Sequence, residues 1–364
     1  MRIGGSVSGC SPANDALNTA PAPAPPPTAT ASPQHERMGD IPVLHGWRAV
    51  SILLVLASHW LPLPKVLALN HAAGAAGMAL FFCLSGFLIA SFLDAGEPLA
   101  RFMVKRLARI VPLAWLAVSV LLLWHPQDLP TMARNFLLVA NIPPAALLPG
   151  GEHLWSLCVE FQFYVLAALL CLLFGRGKGL AALPVLCVAV TLGRIVAHEP
   201  ISIITWQRID EILAGSTLAL AYRGRFGDLR RLFRVPLWAG LLALYLSSAP
   251  FFPPIEYLRP YAAALLVGST LYAAPGRLHR LLTTRPMLLV AEMSYAIYVI
   301  HGMLTATWLG TSPYKYPKRP LLAAATFILA WLSTRYFERP IMRWARRLPM
   351  GQGPASACPA RPGD

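Results

Sequence analysis

The sequence predicts an all-α fold, a polytopic bundle of about ten transmembrane helices, on three observations. Apolar residues make up 56% of the 364-residue chain and charged residues 13%, against roughly 45–50% and 25% in soluble domains. Mean hydropathy is +0.54, so a globule in water would lack polar side chains to cover its surface. Beyond residue 40, apolar runs of about 15–23 residues recur between short polar breaks, close to the ~20 residues that cross a bilayer.

The first 39 residues differ in composition from the rest. They are rich in Pro and Ala, as in PAPAPPPTAT, and show no apolar period, which predicts a disordered tail at 1–39. The segment has no apolar core of the kind that signal peptides need. Met38 opens a second candidate start, so translation begins at Met1 or at Met38. We assign residues 40–345 to a membrane domain and 346–364 to a disordered C-terminal tail.

Each span is expected to be helical, because lipid offers the backbone groups no hydrogen-bond partner. The ten predicted spans cover residues 43–61, 72–94, 109–125, 155–174, 179–196, 206–222, 235–249, 260–274, 287–309 and 320–342. In the second span, Gly77, Ser85 and Gly86 are small residues that allow close contact with another helix.

The basic residues predict the orientation. The chain has 31 Lys and Arg against 16 Asp and Glu, a formal charge of +15. In membrane proteins Lys and Arg collect in cytoplasmic loops. With the N-terminus inside, twenty of the 31 fall in inner segments, six in outer ones and five within or beside spans. The sequence therefore predicts a cytoplasmic N-terminus and an even number of spans, and the charge needs no nucleic-acid partner.

The first span carries two polar side chains that are costly in lipid. Arg48 and His59 are eleven residues apart, almost three whole turns, so they share a helix face about 16 Å apart along the axis. Ionisable residues within spans are candidates for function, and histidine acts as a general base near neutral pH. A packing role is the alternative for each of them. The shared face favours a functional pair.

The segment RFMVKRLARIVP is basic and amphipathic. One interpretation is a helix attracted to anionic lipid at the interface. The other is a phosphate clamp, since basic side chains three or four apart on a helix can hold one polyanion together. Its candidate anion-binding residues are Lys105, Arg106 and Arg109.

The fourth span opens with HLWSLCVEFQFYVL. Ser156 and Glu160 are four residues apart and face the same way. We expect His153, Trp155 and Gln162 to surround the carboxylate in a polar pocket. Further secondary candidates are Arg208, Asp210, Tyr298 and His301. The sequence contains no nucleophile elbow, phosphate loop, dinucleotide-binding turn or zinc motif, and we expect no metal.

Taken in order, these motifs resemble the integral membrane acyltransferase-3 family, over residues 40 to about 345. The family's Arg, ten residues, then His is similar to Arg48 and His59. Departures include Cys158 and Phe161 in HLWSLCVEFQFY and His45 before Gly46, where the family often carries an acidic residue. The other matching segments are residues 80–89 (LFFCLSGFLI), 105–112 (KRLARIVP), 153–164 (HLWSLCVEFQFY), 294–301 (SYAIYVIH) and 337–340 (FERP).

The resemblance implies transfer of an acetyl group from acetyl-CoA, as co-substrate, to a sugar hydroxyl of a cell-surface polysaccharide or its lipid-linked precursor. It implies a multi-pass protein of the bacterial inner membrane, in contact with lipid. Lys105, Arg106 and Arg109 would bind CoA phosphates, and His59 would deprotonate the acceptor or carry the acyl group. Glu160 would orient the imidazole or protonate a leaving group, and Arg48 would hold the CoA tail or stabilise negative charge.

A narrower expectation is acetylation of mannose in a xanthan-like exopolysaccharide. The alternatives are a transporter or flippase of a glycan or acyl intermediate, and a non-catalytic scaffold for polysaccharide assembly. A transporter has no need for a basic clamp paired with His59.

Overall fold

The structure, a computed structural model, describes residues 41–311 and 314–348. These residues form helices and connecting loops with no β-strand, which confirms the all-α fold. The predicted tails lie outside the described residues, except for 346–348, and stay predictions.

Most helices follow one another with short connections, and residues 137–151 and 223–236 form two longer loops. Two 3₁₀ turns, Glu152–Leu154 and Thr205–Gln207, precede α5 and α6, and a π-helical segment, Ser333–Glu338, joins α13 to α14. The helices are α1 Pro42–Trp60, α2 Leu69–Asp94, α3 Leu99–Trp124, α4 Leu129–Phe136, α5 Trp155–Val196, α6 Asp210–Tyr222, α7 Leu237–Leu246, α8 Pro253–Glu256, α9 Arg259–Tyr272, α10 Arg277–Leu282, α11 Arg285–Thr305, α12 Trp308–Thr311, α13 Lys315–Leu332 and α14 Arg339–Arg347.

Every predicted span coincides with a helical segment. Among the described residues, five helices are long and apolar enough to cross a membrane, within 69–94, 99–124, 152–196, 285–305 and 316–347. The chain is therefore a membrane protein, while the count of ten crossings stays a prediction. Helix α1 is not among the five, because His45, Arg48 and His59 lower its mean hydropathy.

Two boundaries depend on backbone chemistry. Helix α5 is interrupted at Gly175, whose φ of 74° and ψ of 160° are not helical. A Cβ on Gly179 would lie 2.5 Å from the carbonyl oxygen of Leu170, so the chain folds back and the two halves match the two spans predicted there. By contrast, α3 runs unbroken through Pro112 from Leu99. The basic amphipathic segment and the span predicted from residue 109 therefore form one continuous helix.

Helix α2 packs at the centre of the bundle, between α1 and α6. Small residues allow this. A Cβ on Gly77 would lie 2.8 Å from the carbonyl oxygen of Ser51 in α1. One on Gly86 would overlap the backbone of α6 at Ile212, and one on Gly215 the backbone of α2. The predicted close contact through Gly77 and Gly86 is therefore present.

Helices α1, α3 and α11 run in the same direction. Arg48 of α1, Arg109 of α3 and Tyr295 of α11 line one cavity, and further along α1 and α11 Trp60 contacts Thr305. We call the end where these three helices begin the arginine end, and the end where they stop the histidine end. Arg48 thus lies at the arginine end and His59 at the histidine end.

Candidate active site

A cavity with about 360 Å³ of empty space, part of it open to solvent, lies at the arginine end. A second cavity of about 230 Å³ shares Arg48 and Leu88 with it and also touches His45. The first cavity contains the densest set of predicted site residues. It is lined by Arg48, Phe81, Ser85, Leu88, Arg106, Arg109, Ile110, Glu160 and Tyr295.

The cavity is positively charged, with three guanidinium groups and one carboxylate among its lining residues. Arg106 and Arg109 are three residues apart on α3 and share a face, as predicted. The guanidinium of Arg106 lies 5.0 Å from the ring centroid of Phe92 and 5.8 Å from that of Tyr164, which fixes its direction. A rigid guanidinium suits phosphate or another oxyanion.

Lys105 occupies a different position. Its ammonium group forms an ion pair with Glu97, and the backbone carbonyl of Glu97 accepts a 2.7 Å hydrogen bond from Arg176. Lys105 does not line the cavity. Of the three basic residues predicted to bind phosphates, the structure therefore brings Arg106 and Arg109 together with Arg48 and places Lys105 apart.

Glu160 is the carboxylate of the cavity, and two hydroxyl groups hold it. Ser85 of α2 donates a hydrogen bond to its Oε1, and Tyr164, one turn further along α5, donates a second one of 2.6 Å. The sequence marked Ser85 only as a small residue suited to close packing. Its role as a donor to another helix was missed, because no spacing along one chain segment reports a contact between α2 and α5.

At the histidine end, His59 of α1 meets His301 of α11. Nδ1 of His59 lies 3.2 Å from Nε2 of His301, and the two rings stack with their centroids 5.2 Å apart. His301 is fully buried, whereas His59, in the last turn of α1, keeps exposed surface. The neighbouring Trp60 donates a 3.0 Å hydrogen bond to Thr305 and joins the same two helices.

The hydrogen bonds of His301 determine which nitrogen of His59 is free. Nδ1 of His301 lies 2.6 Å from the carbonyl oxygen of Tyr298 and 3.2 Å from that of Ile297. Carbonyl oxygens only accept, so this nitrogen carries the proton, and Nε2 of the neutral ring is an acceptor. Nδ1 of His59 therefore donates to it. In neutral His59 the lone pair is then on Nε2, which is where a base needs it.

A third imidazole completes the cluster. Nε2 of His153 donates a 3.0 Å hydrogen bond to the carbonyl of Val299, and its ring centroid lies 5.2 Å from that of His301. Gly302 makes the space, since a Cβ there would overlap the His153 ring. Tyr298 donates a 2.6 Å hydrogen bond to the His153 carbonyl and accepts one of 2.7 Å from Ser156.

One aromatic layer separates the two ends. Phe81 lines the cavity and stacks on Tyr298, with centroids 6.0 Å apart. The Tyr298 ring is 5.5 Å from that of His301. Glu160 thus lies on one side of the layer and His59 on the other. The expectation that Glu160 orients the His59 imidazole does not fit this arrangement, in which the partner of His59 is His301.

The three side chains expected to surround Glu160 in a polar pocket lie in different surroundings. His153 belongs to the histidine cluster. Gln162 donates a 2.9 Å hydrogen bond to Asn141 and accepts one of 2.6 Å from Thr205, so it ties loops together. The ring of Trp155 packs against the guanidinium of Arg208. All three are close to Glu160 along the chain, His153 in the 3₁₀ turn before α5 and Trp155 and Gln162 on α5, but successive residues point in different directions and reach different neighbours.

The two remaining candidates, Arg208 and Asp210, lie in a separate buried cluster of charges near the start of α6. Within 41–311 and 314–348, no group of three or more His, Cys, Asp or Glu side chains is placed to hold a metal ion.

An arginine-lined cavity and an oriented imidazole within one membrane helix bundle fit a membrane-embedded group transferase. The chain belongs to the acyltransferase-3 family, whose acyltransferase domain profile matches residues 41–335.

The chain is similar to several characterised or named proteins of this kind. It is 24% identical over 360 residues to the peptidoglycan O-acetyltransferase OatA of Listeria monocytogenes, covering 83% of this chain and 56% of that protein. It is 27% identical to the putative peptidoglycan O-acetyltransferase YrhL of Bacillus subtilis, covering 85% and 55%. It is also 27% identical to the exopolysaccharide production protein ExoZ of Rhizobium meliloti, covering 70% and 91%. The chain thus spans about half the length of the two peptidoglycan O-acetyltransferases. No solved structure matches it.

Proposed function

We propose that the protein is a membrane O-acetyltransferase that moves an acetyl group from acetyl-CoA to a sugar hydroxyl of a cell-surface polysaccharide or its lipid-linked precursor. Family membership and the names of the relatives support transfer to a glycan. The observation that carries the proposal is the hydrogen bond between His59 and His301, which leaves a lone pair on an accessible imidazole.

The donor would bind at the arginine end. Arg106 and Arg109, with Arg48 across the cavity, present three guanidinium groups to the phosphates of CoA. With the N-terminus in the cytoplasm and the protein in the bacterial inner membrane, as we propose, this end would face the compartment where acetyl-CoA is made. Glu160 is the one carboxylate against three guanidinium groups in the lining, so the cavity keeps a net positive charge.

The acceptor would react at the histidine end. Its hydroxyl proton passes to Nε2 of His59 while the hydroxyl oxygen forms a bond to the acetyl carbonyl carbon. The bond from that carbon to the CoA sulfur breaks, and the thiolate takes the proton from Nε2 of His59, which returns the imidazole to its neutral form. His301 stabilises the imidazolium, because its Nε2 accepts the hydrogen bond from Nδ1 of His59. An acetyl-histidine intermediate is the alternative use of the same lone pair.

The donor must pass the aromatic layer. Arg48 and His59 are eleven positions apart on α1, about 16 Å along the axis. An extended thioester arm entering from the cavity would cross at Phe81, which lies against both the cavity and Tyr298. We therefore assign Phe81 to the path between the donor site and the base.

The exopolysaccharide production protein ExoZ is a relative matched over nine-tenths of its length, which supports an exopolysaccharide as acceptor. Mannose of a xanthan-like polymer stays our narrower proposal.

Deletion of the gene tests the function. The acetyl signals of the surface polysaccharide in proton NMR should disappear, and a plasmid copy of the wild type, but not of His59→Ala, should restore them. A transporter predicts another result: less polymer at the surface, with the remaining polymer acetylated as before. A scaffold predicts that His59→Ala restores acetylation fully.

A further inference from the structure

Five charged side chains are buried together at the histidine end, outside the site described above. Arg194, Asp210, Glu211 and Arg259 are 0% exposed and Arg208 is 3% exposed. They come from the end of α5, the start of α6 and the start of α9. Charges at this depth are stable only when partners neutralise them.

The cluster holds one more cation than anions. Arg194 forms an ion pair with Asp210 and donates to the carbonyl oxygens of Pro200 and Glu199. Arg259 donates a 2.8 Å hydrogen bond to Glu211. Each carboxylate thus has a guanidinium that is hydrogen-bonded to it, and both of these guanidinium groups also donate to backbone carbonyls.

Arg208 is the guanidinium left over. Its Nη1 lies 3.4 Å from Glu211 Oε1, the oxygen already bonded to Arg259. Its Nε and Nη1 are buried and have no hydrogen-bond partner among the described residues, and the same is true of Oε2 of Glu211. Arginine does not lose its proton in proteins. A water molecule could accept from these donors, but it would not supply the missing negative charge.

The position of Arg208 connects it to the histidine cluster. Its guanidinium lies 5.6 Å from the ring centroid of Trp155. The next residue, Ser156, donates to Tyr298, whose ring packs against His301. Arg208 is therefore linked through Trp155, Ser156 and Tyr298 to His301, the hydrogen-bond partner of the proposed base.

We propose that Arg208 binds an anionic oxygen group, a carboxylate or a phosphate, of the acceptor glycan. The inference rests on the proposed function, since it names the substrate class for the acceptor side of that site. An acceptor oxyanion would take the two open donors of Arg208 and balance the excess charge of the cluster. The sugar hydroxyl to be acetylated would then be held toward His59.

Binding can be measured without the reaction. Purified full-length protein in detergent, without acetyl-CoA, is titrated by calorimetry with glucuronate, glucose 1-phosphate and glucose. Wild type should bind the two anionic sugars at least tenfold more tightly than glucose, and Arg208→Met should lose that preference. The exposed Arg231→Met is the control and should keep it. Whichever anion binds more tightly identifies the carboxylate or the phosphate as the natural group.

Folding is checked by the unfolding midpoint of each variant. Arg208→Met removes an unbalanced charge, so its midpoint should equal or exceed that of wild type. Arg194→Met leaves Asp210 without its cation and should lower the midpoint. Should Arg208→Met unfold, Arg208→Lys keeps the charge and should retain a weakened preference for anionic sugars.

Equal binding of glucose and the anionic sugars by wild type, or an unchanged preference in Arg208→Met, would overturn the inference. Acetyl transfer is then measured separately in the wild type. Transfer without a charge preference would leave the proposed function standing and remove the Arg208 site. Binding of anionic sugars without any acetyl transfer would leave the Arg208 site standing and remove the proposed function.

Discussion

Nδ1 of His59 donates a hydrogen bond to Nε2 of His301 over 3.2 Å, from the last turn of α1 to a buried ring on α11. His301 is held in turn by the backbone carbonyl of Tyr298 at 2.6 Å. The chain of two bonds orients the His59 ring and selects its tautomer. Both hydrogen bonds are donated toward the Tyr298 carbonyl, so the free lone pair is on His59 and the two histidines have different roles.

Replacement of His301 should slow catalysis most where the new side chain cannot accept the hydrogen bond from Nδ1 of His59. His301→Leu removes the acceptor, and we expect kcat to fall about 10- to 100-fold, the usual cost of losing an orienting partner. His301→Gln offers a side-chain oxygen to Nδ1 of His59 and should recover part of the loss. KM for acetyl-CoA should change little in either variant. Equal rates for Leu and Gln would show that His301 only fills space.

Substitutions of the three basic residues predicted to bind phosphates should have two different effects on KM for acetyl-CoA. Arg106→Gln and Arg109→Gln each remove a guanidinium from the cavity, and we expect KM for acetyl-CoA to rise about tenfold or more, since a charged hydrogen bond contributes about 1.5–3 kcal/mol. Lys105→Gln is the matched control, because Lys105 pairs with Glu97 outside the cavity. A rise of the same size for Lys105→Gln would place the CoA phosphates elsewhere.

Phe81 should limit access of water to the thioester. In Phe81→Ala the layer between the cavity and Tyr298 opens, so we expect faster hydrolysis of acetyl-CoA when no acceptor is present. Phe81→Leu keeps an apolar side chain of similar reach and should behave like wild type. The measurement is release of free CoA by the purified protein. If Phe81→Ala leaves that release unchanged, the path does not run through this layer.

Gly302 should not tolerate a side chain. The Cβ of Gly302→Ala would overlap the His153 ring, and we expect a loss of about 1–3 kcal/mol in unfolding free energy, typical of an overpacked interior, together with reduced transfer. Gly193→Ala on α5 is the control, since nothing lies within 4 Å of its Cβ. That change should be neutral or slightly stabilising, because Ala favours helix over Gly. Thermal unfolding in detergent compares the two variants.

The fold could be predicted from the sequence because lipid makes apolar length a strong signal. The hairpin at Gly175 matched two predicted spans, and Gly77 and Gly86 indicated where helices approach. Arg106 and Arg109 also share the cavity that their spacing on α3 suggested, whereas Arg48 and His59, which share a face of α1, lie at opposite ends. These successes concern properties of one segment at a time.

The predictions that failed, and the roles that were missed, concern contacts between segments. Nothing in the sequence says that Ser85 of α2 donates to Glu160 of α5, or that His301 and not Glu160 is the partner of His59. Lys105 looked equivalent to Arg106, but the direction of its side chain leads to Glu97. The uncompensated charge of Arg208 likewise becomes visible only when α5, α6 and α9 are brought together.

The most direct measurement is transfer of labelled acetyl from acetyl-CoA to an added glycan by purified protein in liposomes, comparing wild type with His59→Ala. We expect the variant to bind acetyl-CoA normally and to transfer about 10²- to 10⁴-fold more slowly, the usual contribution of a general base. Exchange of label between acetyl-CoA and free CoA without acceptor would identify an acetyl-histidine step. Transfer by His59→Ala at the wild-type rate would contradict any chemical role for this imidazole.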